Sequence, residues 1–260
     1  MDNTNYLIDR VLSVSRIELD DNALTWVAKS IENPQLEFTG ETTEKRDAAG
    51  TLIASFDTAK GATMSGELSL LNMAVLASQL GTEVEYGSST NKITVDFIDE
   101  VEVGTGGVCK LTKAPKVAPT QVFALKADGS LGTSYTIGAE TGNATYTAAS
   151  GDNGATITLP TGYTCTKVAL YYQYESETAV MVDDGSENFT TPAKYVMKIL
   201  AADICNPALK RSGFVVFPKA KIDNNLSLTL TTEGTQPFSL TALKDYCDDS
   251  ARLCYILWDE

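Results

Sequence analysis

Polar and apolar residues from Ser65 to Gly81 recur at helical spacing, whereas most other segments alternate at the two-residue spacing of strands. Ser65 has a side chain that can cap a first turn, and Gly81 stands where a left-handed residue ends a helix. The apolar residues form two adjacent rows, Leu68, Leu71 and Val75 in one and Met73, Leu76 and Leu80 in the other. This pattern predicts one α-helix at about residues 65–80, packed on a sheet and covered on a second side.

Residues 35–57 predict a long, protruding β-hairpin. Leu36 and Phe38 share one face of its first strand, and a charged turn leads to a returning strand that also alternates. Acidic side chains occupy the other face and the turn: Glu37, Glu41 and Glu44. Asn33-Pro34 is expected to break the chain before this hairpin.

The remaining segments predict short strands separated by Gly, Asn, Asp and Ser. Among the later ones, Leu226, Leu228 and Leu230 alternate with Ser and Thr, so we expect these leucines inside a sheet. The pattern predicts a mainly β protein, either a sandwich or an elaborated sheet. Residues 104–190 fit an Ig-like insertion or an elaboration of the sandwich.

The charge of the chain argues against one class of partner. The 260 residues have a formal net charge of −14, and residues 1–103 alone carry 18 acidic and 7 basic side chains. Phosphate backbones are held by clustered Lys and Arg, so this chain is not expected to grip nucleic acid. An acidic surface is most often simply a solvated one.

The sequence offers no signal for a membrane or for export. No apolar run approaches the roughly 20 residues of a membrane span. The first residues have neither a basic nor an apolar signal region, so we expect the chain to be cytoplasmic when it is made. With no export signal and no C-x-x-C pair, the cysteines are expected to be free thiols, mostly buried. They are Cys109, Cys165, Cys205, Cys247 and Cys254.

Residue types that usually carry catalysis are missing or misplaced. The chain has no histidine, which excludes Ser-His-Asp and Cys-His systems and histidine-based metal sites. Residues 61–66 have the glycine spacing of a phosphate-binding loop, but Glu67 follows where such a loop needs Lys. The acidic stretches 183–187 and 247–249 are interpreted as turns, since their spacing does not match a calcium loop. We therefore expect no catalytic residue, no cofactor and no metal site.

Two parts of the chain resemble the tail tube and related virion structural proteins of tailed bacteriophages. The first is the hairpin of residues 35–57 with the Ser-Gly-Glu start and the Gln-Leu-Gly end of the predicted helix. The second is the run of strand patterns from Gly213 through the alternating leucines to Leu243. The resemblance lies in order and residue type and covers roughly residues 20–100 and 190–260.

The resemblance implies a tail-tube-like β-sandwich or partial barrel with one flanking helix, with residues 1–260 forming a single domain. It also implies that six subunits join strands across interfaces into a ring with a continuous inner barrel. Rings would stack into a tube through which DNA passes without specific binding. The partners would be other copies of the chain and other tail proteins, with no membrane. The location would be the virion tail, after assembly in the cytoplasm of the host bacterium.

Five residues are the candidates for assembly or for lining the bore: Glu37, Glu41, Glu44, Leu71 and Leu76. The acidic excess in residues 1–103 would give a wall that DNA slides past without sticking. One row of the helix would pack on the sheet, and the other would meet an adjacent subunit.

Two other classes stay open at this point. One is a different phage structural protein, such as a head–tail connector, a baseplate protein or an Ig-like decoration protein. The other is an enzyme on a β-sandwich. The absence of histidine and the presence of only two tryptophans disfavour the enzyme.

Overall fold

The computed structural model of the chain describes residues 6–150, 154–203, 210–246 and 252–259. Within it the chain divides into two compact units. Residues 1–84 and 182–260 form the first unit, and residues 85–181 form the second unit. Cys205, Cys247 and the predicted turn at 247–249 lie outside the described residues.

The structure is mainly β, as predicted. Besides a short 3₁₀ turn at Thr105–Gly107, the elements in chain order are β1 (Tyr6–Ile17), β2 (Leu24–Lys29), β3 (Ile31–Arg46), β4 (Leu52–Leu68), α1 (Met73–Leu80), β5 (Glu85–Tyr86), β6 (Ile93–Glu102), β7 (Val108–Lys110), β8 (Gln121–Leu125), β9 (Leu131–Thr136), β10 (Thr145–Thr147), β11 (Thr156–Thr158), β12 (Lys167–Ser176), β13 (Val180–Met181), β14 (Ala193–Asp203), β15 (Lys210–Ile222), β16 (Gln236–Ala242) and β17 (Tyr255–Asp259).

The first unit is built on one eight-stranded antiparallel sheet in the order β2-β1-β14-β15-β16-β4-β3. Strand β17 pairs with β15 over Ser212–Val216, next to the segment of β15 that pairs with β16. One core contains Trp26 of β2 and Met64 of β4, which belong to opposite ends of this sheet, together with Val75 of α1. The sheet therefore curves around its core, and α1 covers the open side.

The second unit has two main sheets around a core of its own. Their strand orders are β6-β12-β8-β9 and β10-β11-β7, and both contribute buried residues to one cluster, such as Val168 from the first sheet and Ile157 from the second. A two-stranded pair, β5 with β13, joins the beginning of the unit to its end. The unit starts earlier than residue 104 because β6 pairs with β12 along ten residues.

The predicted helix start is wrong. Residues 65–68 continue β4 and pair with β16 and β3, and the helix begins only at Met73. The cap is Asn72, whose Oδ1 accepts hydrogen bonds from the backbone N–H groups of Ala74 and Val75. Gly81 ends the helix at φ 73°, as predicted.

Two other expectations fail for local reasons. Strand β3 continues through Asn33-Pro34, because a bulge between Glu32 and Gln35 takes the proline out of the ladder. Residues 223–230 are not a strand although they alternate, and Leu230 is 88% exposed. Their leucines find no sheet partner in the described part of the chain.

Candidate assembly surface

The predicted hairpin is confirmed, and its outer part is uncovered. Strands β3 and β4 pair from Ile31 to Arg46 with three register shifts. In the outer part, residues 39–60, here called the distal ribbon, all residues are exposed except Ala54, which is half-buried. A two-stranded ribbon alone in water is marginally stable at best. The distal ribbon is therefore an element that lacks a covering surface within its own described unit.

The tip of the distal ribbon is ordered by its own hydrogen bonds. Asp47 Oδ1 accepts from the backbone N–H groups of Ala49 at 2.9 Å and Thr51 at 2.8 Å. Arg46 binds Glu44 at 2.6 Å and also donates to the carbonyl of Gly50. These bonds hold the conformation of the tip by contacts within its own chain.

Apolar side chains on this hairpin face solvent. Phe38 is 62% exposed, Ile53 61% and Phe56 58%. The sequence pattern places such residues on an inward face, but the hairpin is longer than the core beneath it. The signal that could have revealed this is the length of the alternating pattern, since strands β3 and β4 have 16 and 17 residues.

The three candidate glutamates all lie on β3 and all are exposed. Glu37 lies opposite Thr63, and Glu41 lies opposite Ala59 on the returning strand. Glu44 forms the ion pair with Arg46, which is exposed and contributes little to stability. The sequence thus identified an exposed acidic strand, and the assignment of these residues to a bore stays a prediction.

The face of the sheet opposite the core carries different charges on β3 and on β14. On β3, Glu37 and Glu41 are exposed and alternate with the half-buried Leu36. On β14, Lys198 alternates with the buried Met197, so it points away from the core as well. The outer face of the sheet is therefore acidic around β3 and basic around β14.

Helix α1 is tied to two separate strands. Trp26 of β2 donates its indole N–H to Ser78 at 2.8 Å. Gln79 is 1% exposed, donates to the carbonyl of Pro237 on β16 and accepts from Gln236. Gln236 in turn accepts from the backbone N–H of Asn72. These bonds satisfy two buried amide side chains and hold the helix across the curved sheet.

The two candidate leucines differ in position. Leu71 precedes the helix and is 55% exposed, and Leu76 is half-buried within it. Leu71 lies beside another exposed leucine, Leu70, and both line a small groove with Leu228 and Leu230. The first predicted row is thus divided between a strand, a loop and the helix. Contact of either leucine with an adjacent subunit stays a prediction.

The second unit contains a buried carboxylate, but its partners are structural. Asp99 is 2% exposed and accepts from the backbone N–H of Thr112 at 2.8 Å, from the Thr112 hydroxyl at 2.7 Å and from Tyr172 at 2.7 Å. Burial, and then the hydrogen bond to Asp99, raises the pKa of Tyr172. This network is satisfied within the unit and leaves no carboxylate oxygen directed at a substrate.

The described cysteines are free thiols: Cys109, Cys165 and Cys254. Burial raises the pKa of Cys109 to about 11, which keeps this thiol protonated at neutral pH. Over the described residues, no group of three or more Cys, Asp or Glu side chains is close enough to hold a metal ion. Asp183, in the acidic turn 183–187, accepts a hydrogen bond from Thr82.

Helix α1 has eight residues, and none of the helices in the described ranges has the length and apolar character of a membrane span. No curated protein matches the chain. The sequence profile of the YomU/Tube protein family matches residues 6–256, which include both units. This β-rich chain with an uncovered hairpin and a helix beside its sheet therefore belongs to the YomU/Tube protein family, a family of phage tail tube-type structural proteins of the virion.

Proposed function

We propose that the chain is the repeating subunit of a tail tube, in which six copies form a ring and rings stack around a bore for DNA ejection. The observation that carries this proposal is the uncovered hairpin at one end of the sheet. Strands β2 and β3 are the two ends of the strand order, and β3 continues into the distal ribbon.

Free edges explain why copies would join. An edge strand presents unpaired N–H and C=O groups, and pairing these groups across copies removes them from solvent. Closing such pairs into a ring leaves no edge at all. In this proposal, β2 of one copy and β3 of the next lie side by side, and the chain serves as a structural protein and not as an enzyme.

The acidic part of the outer face supports a role beside DNA. We propose that Glu37 and Glu41 face the bore, where their charge prevents phosphate backbones from adhering. Lys198 on β14, which is separated from β3 by three strands, carries the opposite charge on the same face. The net potential of the wall therefore depends on which strands line the bore. DNA then passes without specific binding, other tail proteins meet the ends of the tube, and assembly takes place in the host cytoplasm.

Electron microscopy and native mass spectrometry of the purified chain at increasing concentration test the assembly. The expected result is rings of six copies and stacks of these rings. Single rings that never stack would favour a connector or baseplate protein. A monomer at every concentration, including after addition of fragments of preformed tube, would contradict the proposal.

The bore assignment has a separate test. Replacing both Glu37 and Glu41 by Lys is expected to make assembled tubes retain DNA in a cosedimentation assay at low salt, with release as salt rises. The matched control is Glu100→Lys together with Glu102→Lys in the second unit, which likewise makes two exposed acidic residues basic. Equal retention by the control and the double variant would remove Glu37 and Glu41 from the bore.

A further inference from the structure

An apolar groove lies open on the core side of the first unit. It has a volume of about 510 Å³ and is lined mainly by apolar side chains from β1, β3, β14, β15 and β17, among them Ile8, Leu36, Ile199, Ile256 and Trp258. Pockets of this size enclose drug-sized ligands, so the groove has room for two large side chains. Ile8 is 61% exposed and Ile256 49%, so the groove presents apolar surface to water.

The floor of this groove is fixed. The rings of Tyr6 and Trp258 stack with their centroids 4.3 Å apart and their planes 15° from parallel. Trp258 also lies against Gly213, where a Cβ atom would stand 2.4 Å from the ring. A glycine at this position lets the indole lie against the strand, and the groove is preformed as a result.

We infer that this groove receives the distal ribbon of a second copy of the chain, with Ile53 and Phe56 as the inserted side chains. This inference rests on the proposed function and names the contact by which copies would join. The ribbon carries exposed apolar side chains without a covering surface, and the groove is an apolar surface without a cover. Contact between the two removes both from water.

The geometry of the hairpin requires the contact to be between copies. Leu36, which lines the groove, and Thr43, which pairs with Phe56, are seven residues apart on β3. At about 3.3 Å per residue, the aromatic ring stands roughly 23 Å along the strand from its own groove. Strand β3 stays paired with β4 over this distance, so the ribbon cannot fold back.

A contact between two different surfaces of the same chain is head-to-tail. Such a contact generates either closed rings or open filaments, because an open chain keeps one free ribbon at one end and one free groove at the other until it closes.

Two double variants test the contact. In the ribbon variant, Ile53→Asp and Phe56→Asp place charges on the inserted residues. In the groove variant, Ile8→Asp and Ile256→Asp place charges at the mouth of the groove. All four side chains are between 49% and 61% exposed, so both variants are expected to fold. Leu131→Asp, at a 56% exposed position of the second unit, is the matched control.

Analytical ultracentrifugation is expected to show assembly of the wild type and of the control. Either variant alone is expected to lose at least about tenfold in association constant. An equimolar mixture of the two variants retains one intact ribbon and one intact groove, so it is expected to associate more tightly than either variant alone.

A photo-crosslinking side chain at position 56 is expected to attach to the partner's residues 6–11 or 255–258. Wild-type-like assembly of either variant, or an equimolar mixture that stays monomeric while the wild type assembles, would overturn the inference and leave the proposed function standing. Failure of the wild type itself to associate, also after addition of fragments of preformed tube, would overturn both.

Discussion

The two units of the chain differ in whether their polar groups and strands find partners within the same unit. In the second unit, the buried Asp99 has three hydrogen bonds, all from residues of the same unit. The first unit has an equally well-formed core, yet it extends a ribbon in which only Ala54 is even half-buried. A fold can therefore be complete in its core and incomplete at its surface, and the incomplete surface indicates where function lies.

The largest expected effect compares the two cores. Phe217→Ala in the first unit and Ile157→Ala in the second each empty a fully buried site. We expect losses of about 3–5 and 2–5 kcal/mol in the free energy of unfolding, respectively. Only the first variant is expected to lose assembly as well, because the proposed contacts belong to that unit. Urea unfolding and sedimentation measure the two properties separately. Loss of assembly by Ile157→Ala in a folded chain would show that both units take part.

A somewhat smaller effect is expected from the buried carboxylate. Asp99→Ala removes the acceptor of two groups of Thr112 and leaves the Tyr172 hydroxyl only its longer bond, 3.2 Å, to the carbonyl of Lys113. The expected cost is about 3 kcal/mol in unfolding free energy. The control is Asp128→Ala, which removes an exposed acceptor for Ser130 and should cost less than about 1 kcal/mol. Urea unfolding measures both costs. Similar values for the two variants would mean that the second unit tolerates buried donors without a hydrogen-bond acceptor.

Alkaline pH should weaken the first unit through Tyr195. This side chain is 1% exposed, and burial raises its pKa from 10 to about 12. The folded state holds the phenol proton more tightly than the unfolded state does. The stabilisation of the folded state by Tyr195 is therefore fully present below pH 10 and is lost as pH rises to 12. It amounts to roughly 2–3 kcal/mol. Tyr195→Phe should lose less stability between pH 10 and 12 in urea titrations. Identical alkaline losses in both proteins would assign the effect to other groups.

The smallest effect on folding separates the two candidate leucines. Leu76→Asp puts a charge at a half-buried helical position and should cost about 1–2 kcal/mol. Leu71→Asp changes a 55% exposed position and should cost less than about 0.5 kcal/mol. If both leucines serve assembly, ring formation falls in both variants while solubility of Leu71→Asp stays that of the wild type. Rings from both variants would remove these residues from the interface.

Local signals predicted much of the fold. The hairpin followed from alternation and a charged turn, and the helix end followed from Gly81. The helix start could not be predicted in this way. Met64 and Leu68 are four residues apart, a spacing that fits one face of a helix and equally one face of a strand, and both are buried on β4. The decision depends on tertiary contacts, such as Gly66 against the Phe238 ring, where an added Cβ would meet the ring at 3.1 Å. No local pattern reports such a contact.

The candidate surface was predictable in the same uneven way. Exposure of the acidic residues on β3 follows from a charged hairpin. The apolar groove does not, since it combines residues as distant in sequence as Ile8, Leu36 and Trp258. At residues 226–230 the sequence instead predicted a strand that the structure does not have. Alternation leads to a strand only when a partner strand is available.

The two terminal strands of the sheet have very different lengths. Strand β2 has six residues and β3 has sixteen. If one edge pairs with the other across copies, at most six residues of β3 are matched and the remainder overhangs. A single hairpin can then touch one neighbour with its base and another with its tip. An assembly built in this way has a direction, with ribbons projecting at one end and grooves left open at the other, so its two ends would bind different proteins.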